Sequence, residues 1–123
     1  MTVIKRGAVK PPAIRKQSVP MESQGGDVVV RGLGLDELLG LSGVQGLLRE
    51  PLEGESQEDA HARAGALMVA KTLHLGVVLA DGKPMWTEAE WNAHGSGHLV
   101  ECMELFNKIN QLSGKETAAA VKN

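Results

Sequence analysis

Apolar residues fall at helical spacing most clearly towards the C-terminal end of the chain. Leu99, Cys102, Met103, Leu105, Phe106, Ile109 and Leu112 recur in steps of three and four, which predicts a helix from about Gly97 to Leu112 with one broad apolar stripe. Glu101, Glu104, Asn107, Lys108 and Gln111 take the polar side, with Glu104 and Lys108 in the favourable i, i+4 order. Ser113-Gly114 supplies a stop. Just upstream, Thr87-Glu88-Ala89-Glu90 has the form of a capping box, in which hydroxyl and carboxylate each satisfy a free N–H of the first turn. It predicts a short helix over 88–94, with Trp86 and Trp91 as packing anchors and Gly95-Ser96-Gly97 as the joint.

Earlier in the chain the period changes. Residues 17–22 and 27–31 are extended runs on either side of Ser23-Gln24-Gly25-Gly26, the pattern of a β-hairpin. Pro20 lacks the N–H a central strand needs, so the first strand is expected at a sheet edge. Leucines at helical spacing from Leu35 predict a short helix, broken by Gly40, with a second leucine group from Val44 to Leu48. Ser56 caps a stronger helix running to about Leu75, where Gly76 can end it. Val77 to Ala80 reads as a short strand or a buried extended segment before the turn Asp81-Gly82-Lys83-Pro84.

The expected fold is therefore α+β and mainly α-helical: one domain over residues 17–114 with an N-terminal hairpin, a flexible basic arm over 1–16 and a frayed tail over 115–123. Composition sharpens this. The only aromatic residues are Trp86, Trp91 and Phe106, so the core must be built from Leu, Val, Ala and Met. A net charge of −2 hides an asymmetry. Residues 1–21 carry Lys5, Arg6, Lys10, Arg15 and Lys16 and no acid, a charge of +5; the remainder holds eight basic and fifteen acidic residues, a charge of −7. Such an arm suits nucleic acid or the acidic face of another copy, and its lack of aromatic residues argues against nucleic acid. No run approaches the roughly 20 apolar residues that span a bilayer, and no signal-peptide core is present, so a cytosolic protein is expected.

Candidate chemistry is sparse. His94, His98 and Cys102 are spaced by four, which can align two metal ligands on a helix, but Gly95 and Gly97 interrupt the first pair and no further ligand is near. Cys102, the single cysteine, reads as a buried structural thiol on the apolar stripe, and His61 and His74 as surface or packing residues. The glycines between Gly32 and Gly46 fit neither phosphate-binding fingerprint. The acid pairs Asp36/Glu37, Glu58/Asp59 and Glu101/Glu104 fall on polar helix faces or near helix starts, and Ser96 and Ser113 have no positioned base. No enzyme and no cofactor are expected.

Three blocks in order carry a resemblance: Val28-Val29-Val30-Arg31-Gly32-Leu33 after a glycine turn, a middle helix followed by Val77 to Ala80, and Asp81-Gly82-Lys83-Pro84-Met85-Trp86-Thr87-Glu88 leading to a helix that ends Leu112-Ser113-Gly114. Over residues 17–114 the chain resembles the tail assembly chaperones of lambda-like long-tailed bacteriophages. The broken leucine region and the flexible Gly95–Gly97 joint depart from that pattern, and the basic arm lies outside it. The resemblance implies a non-enzymatic protein that self-associates, coats and solubilises the helical tape measure protein and helps recruit tail tube protein. It implies action in the host cytoplasm, absence from the finished virion, and a longer form of the same protein made by ribosomal frameshifting near Val121-Lys122-Asn123. Leu38, Leu39, Trp86, Trp91, Leu99, Met103, Phe106 and Ile109 are the candidates for meeting client or other copies, with an ordinary core role the alternative for each. The alternatives are a structural tail or head-tail joining subunit, and a small nucleic-acid-binding protein using the arm.

Overall fold

The structure, a computed structural model, describes residues 2–115, apart from the side chains of residues 45, 47 and 48. The expected frayed tail, with its alanine run and the frameshift region, lies outside the described residues except for Lys115. The fold is α+β and mainly helical. Two strands, β1 (Lys16–Met21) and β2 (Gly26–Arg31), form the hairpin; α1 (Leu35–Leu48) and α2 (Gln57–Gly76) follow; β3 (Val77–Val78) completes the sheet; α3 (Glu88–Gly95) and α4 (Leu99–Leu112) close the chain.

The hairpin turns through a single 3₁₀ turn at Glu22–Gln24 and Gly25, whose φ of 70° lies in the left-handed region that glycine adopts without steric cost. Met21 faces Gly26 across the ladder and Pro20 faces Asp27. The antiparallel sheet has the order β1-β2-β3, so Pro20 sits on an edge strand as its missing donor requires. β3 is shorter than the expected segment: Val77 and Val78 are buried, whereas Leu79 and Ala80 turn out into solvent around Gly82.

Met21 and Val30 from the sheet meet Leu73 and Val77, Trp91, and Cys102, Leu105 and Ile109 in one core. The expected caps form. Ser56 Oγ accepts from Asp59 N–H, and Thr87 and Glu90 make the reciprocal pair of the capping box.

Two expectations need correction, and a third gains a second reason. α1 is continuous through Gly40, Gly43 and Gly46 rather than broken. At each of these positions a side chain would meet open space, so their cost falls only on helix propensity, roughly 1 kcal/mol apiece, and packing of Leu38 and Leu41 against the core offsets it. α2 ends at Gly76 as expected, and a Cβ there would stand 2.6 Å from Ile109 Cγ1, so the glycine also serves the close approach of α2 and α4. The arm also ends earlier than expected. Arg15 donates to the carbonyls of Leu112 (3.0 Å) and Gln111 (2.9 Å) at the C-terminal end of α4, where a cation is favoured by the helix dipole, and Lys16 opens β1 opposite Arg31.

Candidate functional site

Surface features that could act include an apolar cleft, exposed leucines on α1 and a polar knot at the hairpin turn. The cleft, about 340 Å³, opens between α2, α3 and the start of α4, and Val69, Leu73, Trp91, Leu99 and Met103 contribute to its lining. Leu99 at its rim and the neighbouring Val100 are 65% and 71% exposed because α4 reaches the core only from Cys102 onward. On α1, leucines occupy both sides of the helix. Leu38 and Leu41 pack towards the core, while Leu35 (73%), Leu39 (64%) and Val44 stand in solvent. A shallower groove of about 270 Å³ separates this helix from α2 beside the Lys71–Glu88 ion pair (2.9 Å).

This placement divides the eight apolar candidates. Leu39 and Leu99 are free at the surface, and Met103 is half-buried in the cleft. Leu38, Trp86 and Phe106 are half-buried against the core. Trp91 and Ile109, at 1% and 0% exposure, are core residues, which corrects their assignment as contact residues. A helical stripe shows which residues share a face but not how far down that face the neighbouring elements reach. Trp86 lies edge-on to Trp91, with ring centroids 4.7 Å apart, and among the described residues the Trp91 Nε1–H has no hydrogen-bond partner. His74 lies on the same anchor, its Nδ1 2.8 Å from the Trp86 carbonyl.

The polar knot joins the hairpin turn to α3 and α4. Glu101 accepts from the Ser23 hydroxyl (2.5 Å) and Ser23 N–H (3.1 Å), and its Oε1 lies 2.9 Å from His94 Nε2. Burial pushes the Glu101 carboxyl up, and the Ser23 and His94 hydrogen bonds outweigh it, leaving the group below its ordinary value. Serine, histidine and carboxylate in contact invite comparison with a catalytic triad, and the geometry rejects it. A triad needs serine and carboxylate on opposite ring nitrogens, whereas here both approach Nε2, and the serine proton is given to the carboxylate. His94 and His98 stack with centroids 4.2 Å apart, and among the described residues no three His, Cys, Asp or Glu are grouped to hold a metal ion.

A second clamp fixes α1. Arg31 donates to both oxygens of Glu37 (2.6 and 3.0 Å) and to the carbonyls of Leu75 and Gly32, while Gly34 N–H donates to Glu37. The Arg31 hydrogen bonds hold the Glu37 carboxyl below its ordinary value against the opposing effect of burial. Neither cluster was anticipated from the sequence. The spacing Gly34-x-x-Glu37, half of a capping box, was the local signal for the second; the first joins residues 78 apart and has none.

The comparisons with known proteins are short. No protein-family model, curated protein or solved structure matches this chain. The arrangement itself must carry the functional reading. Two of the motif blocks meet in space: Leu33 N–H donates to Ser113 Oγ (2.8 Å), and a Cβ at Gly32 would stand 2.5 Å from the Leu112 carbonyl oxygen. Arg31-Gly32-Leu33 and Leu112-Ser113-Gly114 therefore form a single structural joint. No helix among the described residues is long and apolar enough to cross a membrane.

Proposed function

We propose that this protein is a non-enzymatic tail assembly chaperone of a long-tailed bacteriophage. It self-associates, binds and solubilises the helical tape measure protein, and helps recruit tail tube protein. It works in the host cytoplasm during assembly and leaves before the virion is complete. The observation that carries the reading is unpartnered apolar surface on helices: Leu35 and Leu39 on α1, and Leu99 and Val100 on α4, where Leu99 joins half-buried Val69 and Met103 in lining an open cleft. An amphipathic client helix docks by placing apolar side chains at i, i+3, i+4 and i+7 into such a groove, and methionine adapts to varied partners. The motif blocks of the resemblance add support, since each serves a defined turn, cap or joint here. A tail tube or head-tail joining subunit would be richer in strand than the one small sheet of the described residues.

The test is co-expression with the tape measure protein encoded nearby. The expected result is a soluble complex that is lost when Leu39, Leu99 and Met103 are changed to serine, with the helical circular dichroism of the variant unchanged. A tape measure protein that is equally soluble alone, and that never co-purifies with this chain, refutes the reading. Intact-mass analysis of N-terminally tagged products, expressed with the native downstream DNA, should also reveal a minor longer form.

A further inference from the structure

We infer that the basic arm of one copy docks into an acidic groove at the start of α4 on the next copy, joining copies head to tail. The inference rests on the self-association proposed above; it shares Leu99 and Val100 with the proposed client surface, and its test is made without client. The groove, about 500 Å³, is lined by Glu22, Glu101 and Glu104 together with the exposed side chains of Leu99 and Val100. Glu101 is occupied by Ser23 and His94. Glu22 and Glu104 are exposed and make no ion pair among the described residues. The groove, which His98 also lines, thus offers two carboxylates without an ion pair among the described residues beside two bare aliphatic residues.

The arm has the complementary order. Val3-Ile4-Lys5-Arg6 sets two aliphatic residues next to two cations, and Val9-Lys10 repeats the pairing. Val3 and Ile4 are 81% and 71% exposed, and Lys5, Arg6 and Lys10 make no ion pair among the described residues. Apolar contact beside charge pairing is what separates this groove from an ordinary solvated acidic face, where exposed pairs contribute little.

In the structure no arm residue lines this groove and Val3 and Ile4 stay exposed, so the arm is not seated on its own body. Arg15 is pinned to the last carbonyls of α4, whereas the groove surrounds the first turn of α4 and the far end of β1. A 14-residue helix is roughly 21 Å long, so arm exit and groove lie at opposite ends of the body. Residues 2–14 reach roughly 40 Å when extended, enough to cross to another copy. Such a contact is heterologous and propagates copy after copy, a geometry that suits many subunits along one extended client.

Sedimentation velocity of the full chain over a concentration series, without client, tests this. We expect association that weakens roughly tenfold or more between about 0.05 M and about 0.5 M salt. The pairs Lys5→Glu with Arg6→Glu, and Glu22→Lys with Glu104→Lys, should each give monomer. Mixing the two variants should restore association, since each arm then meets a groove of opposite sign, and recovery on mixing also shows that both are folded. A wild-type monomer at all concentrations overturns the inference. So does association indifferent to both charge reversals, or a mixture that stays monomeric. Lys5→Glu with Arg6→Glu abolishing binding to a random-sequence DNA duplex while leaving self-association intact would assign the arm to nucleic acid and overturn it as well. Leu99 belongs to both surfaces, so client binding is read separately through Leu39 and Met103, and failure here leaves the chaperone test standing.

Discussion

Substituting Gly76 by alanine isolates the tightest approach in the fold. The new Cβ would lie 2.6 Å from Ile109 Cγ1 and 2.9 Å from Cγ2, with Cδ1 also in contact. Ile109 is fully buried, and its branched side chain has little rotamer freedom in a helix, so it cannot swing aside. Overpacking of this kind costs about 1–3 kcal/mol, and three clashing atoms on an immobile neighbour place it at the upper end. Alanine regains at most about 1 kcal/mol of helix propensity, less at the last position of α2. The net loss should be about 2 kcal/mol, a large share of the 5–15 kcal/mol typical of a folded domain. Urea unfolding followed by the fluorescence of Trp86 and Trp91 measures it, with the midpoint expected to fall by about 1 M for a slope near 2 kcal/mol/M. Ile109→Ala alone should cost about 2–5 kcal/mol. Combined with Gly76→Ala it removes the clashing atoms, so the double variant should be about 2 kcal/mol more stable than the sum of the singles. A Gly76→Ala midpoint equal to or above wild type, or strict additivity in the double variant, would refute the close-approach argument.

Two further outcomes follow from the buried polar groups. Glu37 and Glu101 have folded values below the ordinary glutamate value, so between the two values the unfolded chain binds more protons; stability is complete above that ordinary value and is lost as pH falls through it. Thermal unfolding from pH 7 to pH 3 should show a falling midpoint, with a shallower fall in Glu37→Gln; a midpoint that rises on acidification contradicts the clamps. Cys102 is 3% exposed and burial pushes its thiol up, so a thiol-reactive dye should label the native protein only as fast as it opens and label it at once in urea. Immediate stoichiometric labelling of the native form would place Cys102 outside the core.

Local signals determined most of the secondary structure. The Thr87–Glu90 capping box, the Ser56 cap, the glycine turn of the hairpin and the stripe from Leu99 to Leu112 each act within a few residues, where spacing alone dictates which groups can meet. Sequence alone also showed the unequal charge of arm and body. The tertiary structure decided what lies beyond that range. The same stripe contains exposed Leu99 and fully buried Ile109, because depth depends on how far the sheet and α2 extend along α4. Trp91 became core and Leu39 surface for the same reason. The continuity of α1 across three glycines depends on the packing of its other face, which propensity does not register. Ser23 with Glu101, and Arg15 with Leu112, are contacts across 78 and 97 residues. Nothing in the local spacing of either residue specifies its partner; only the folding of the hairpin against α4 brings them together.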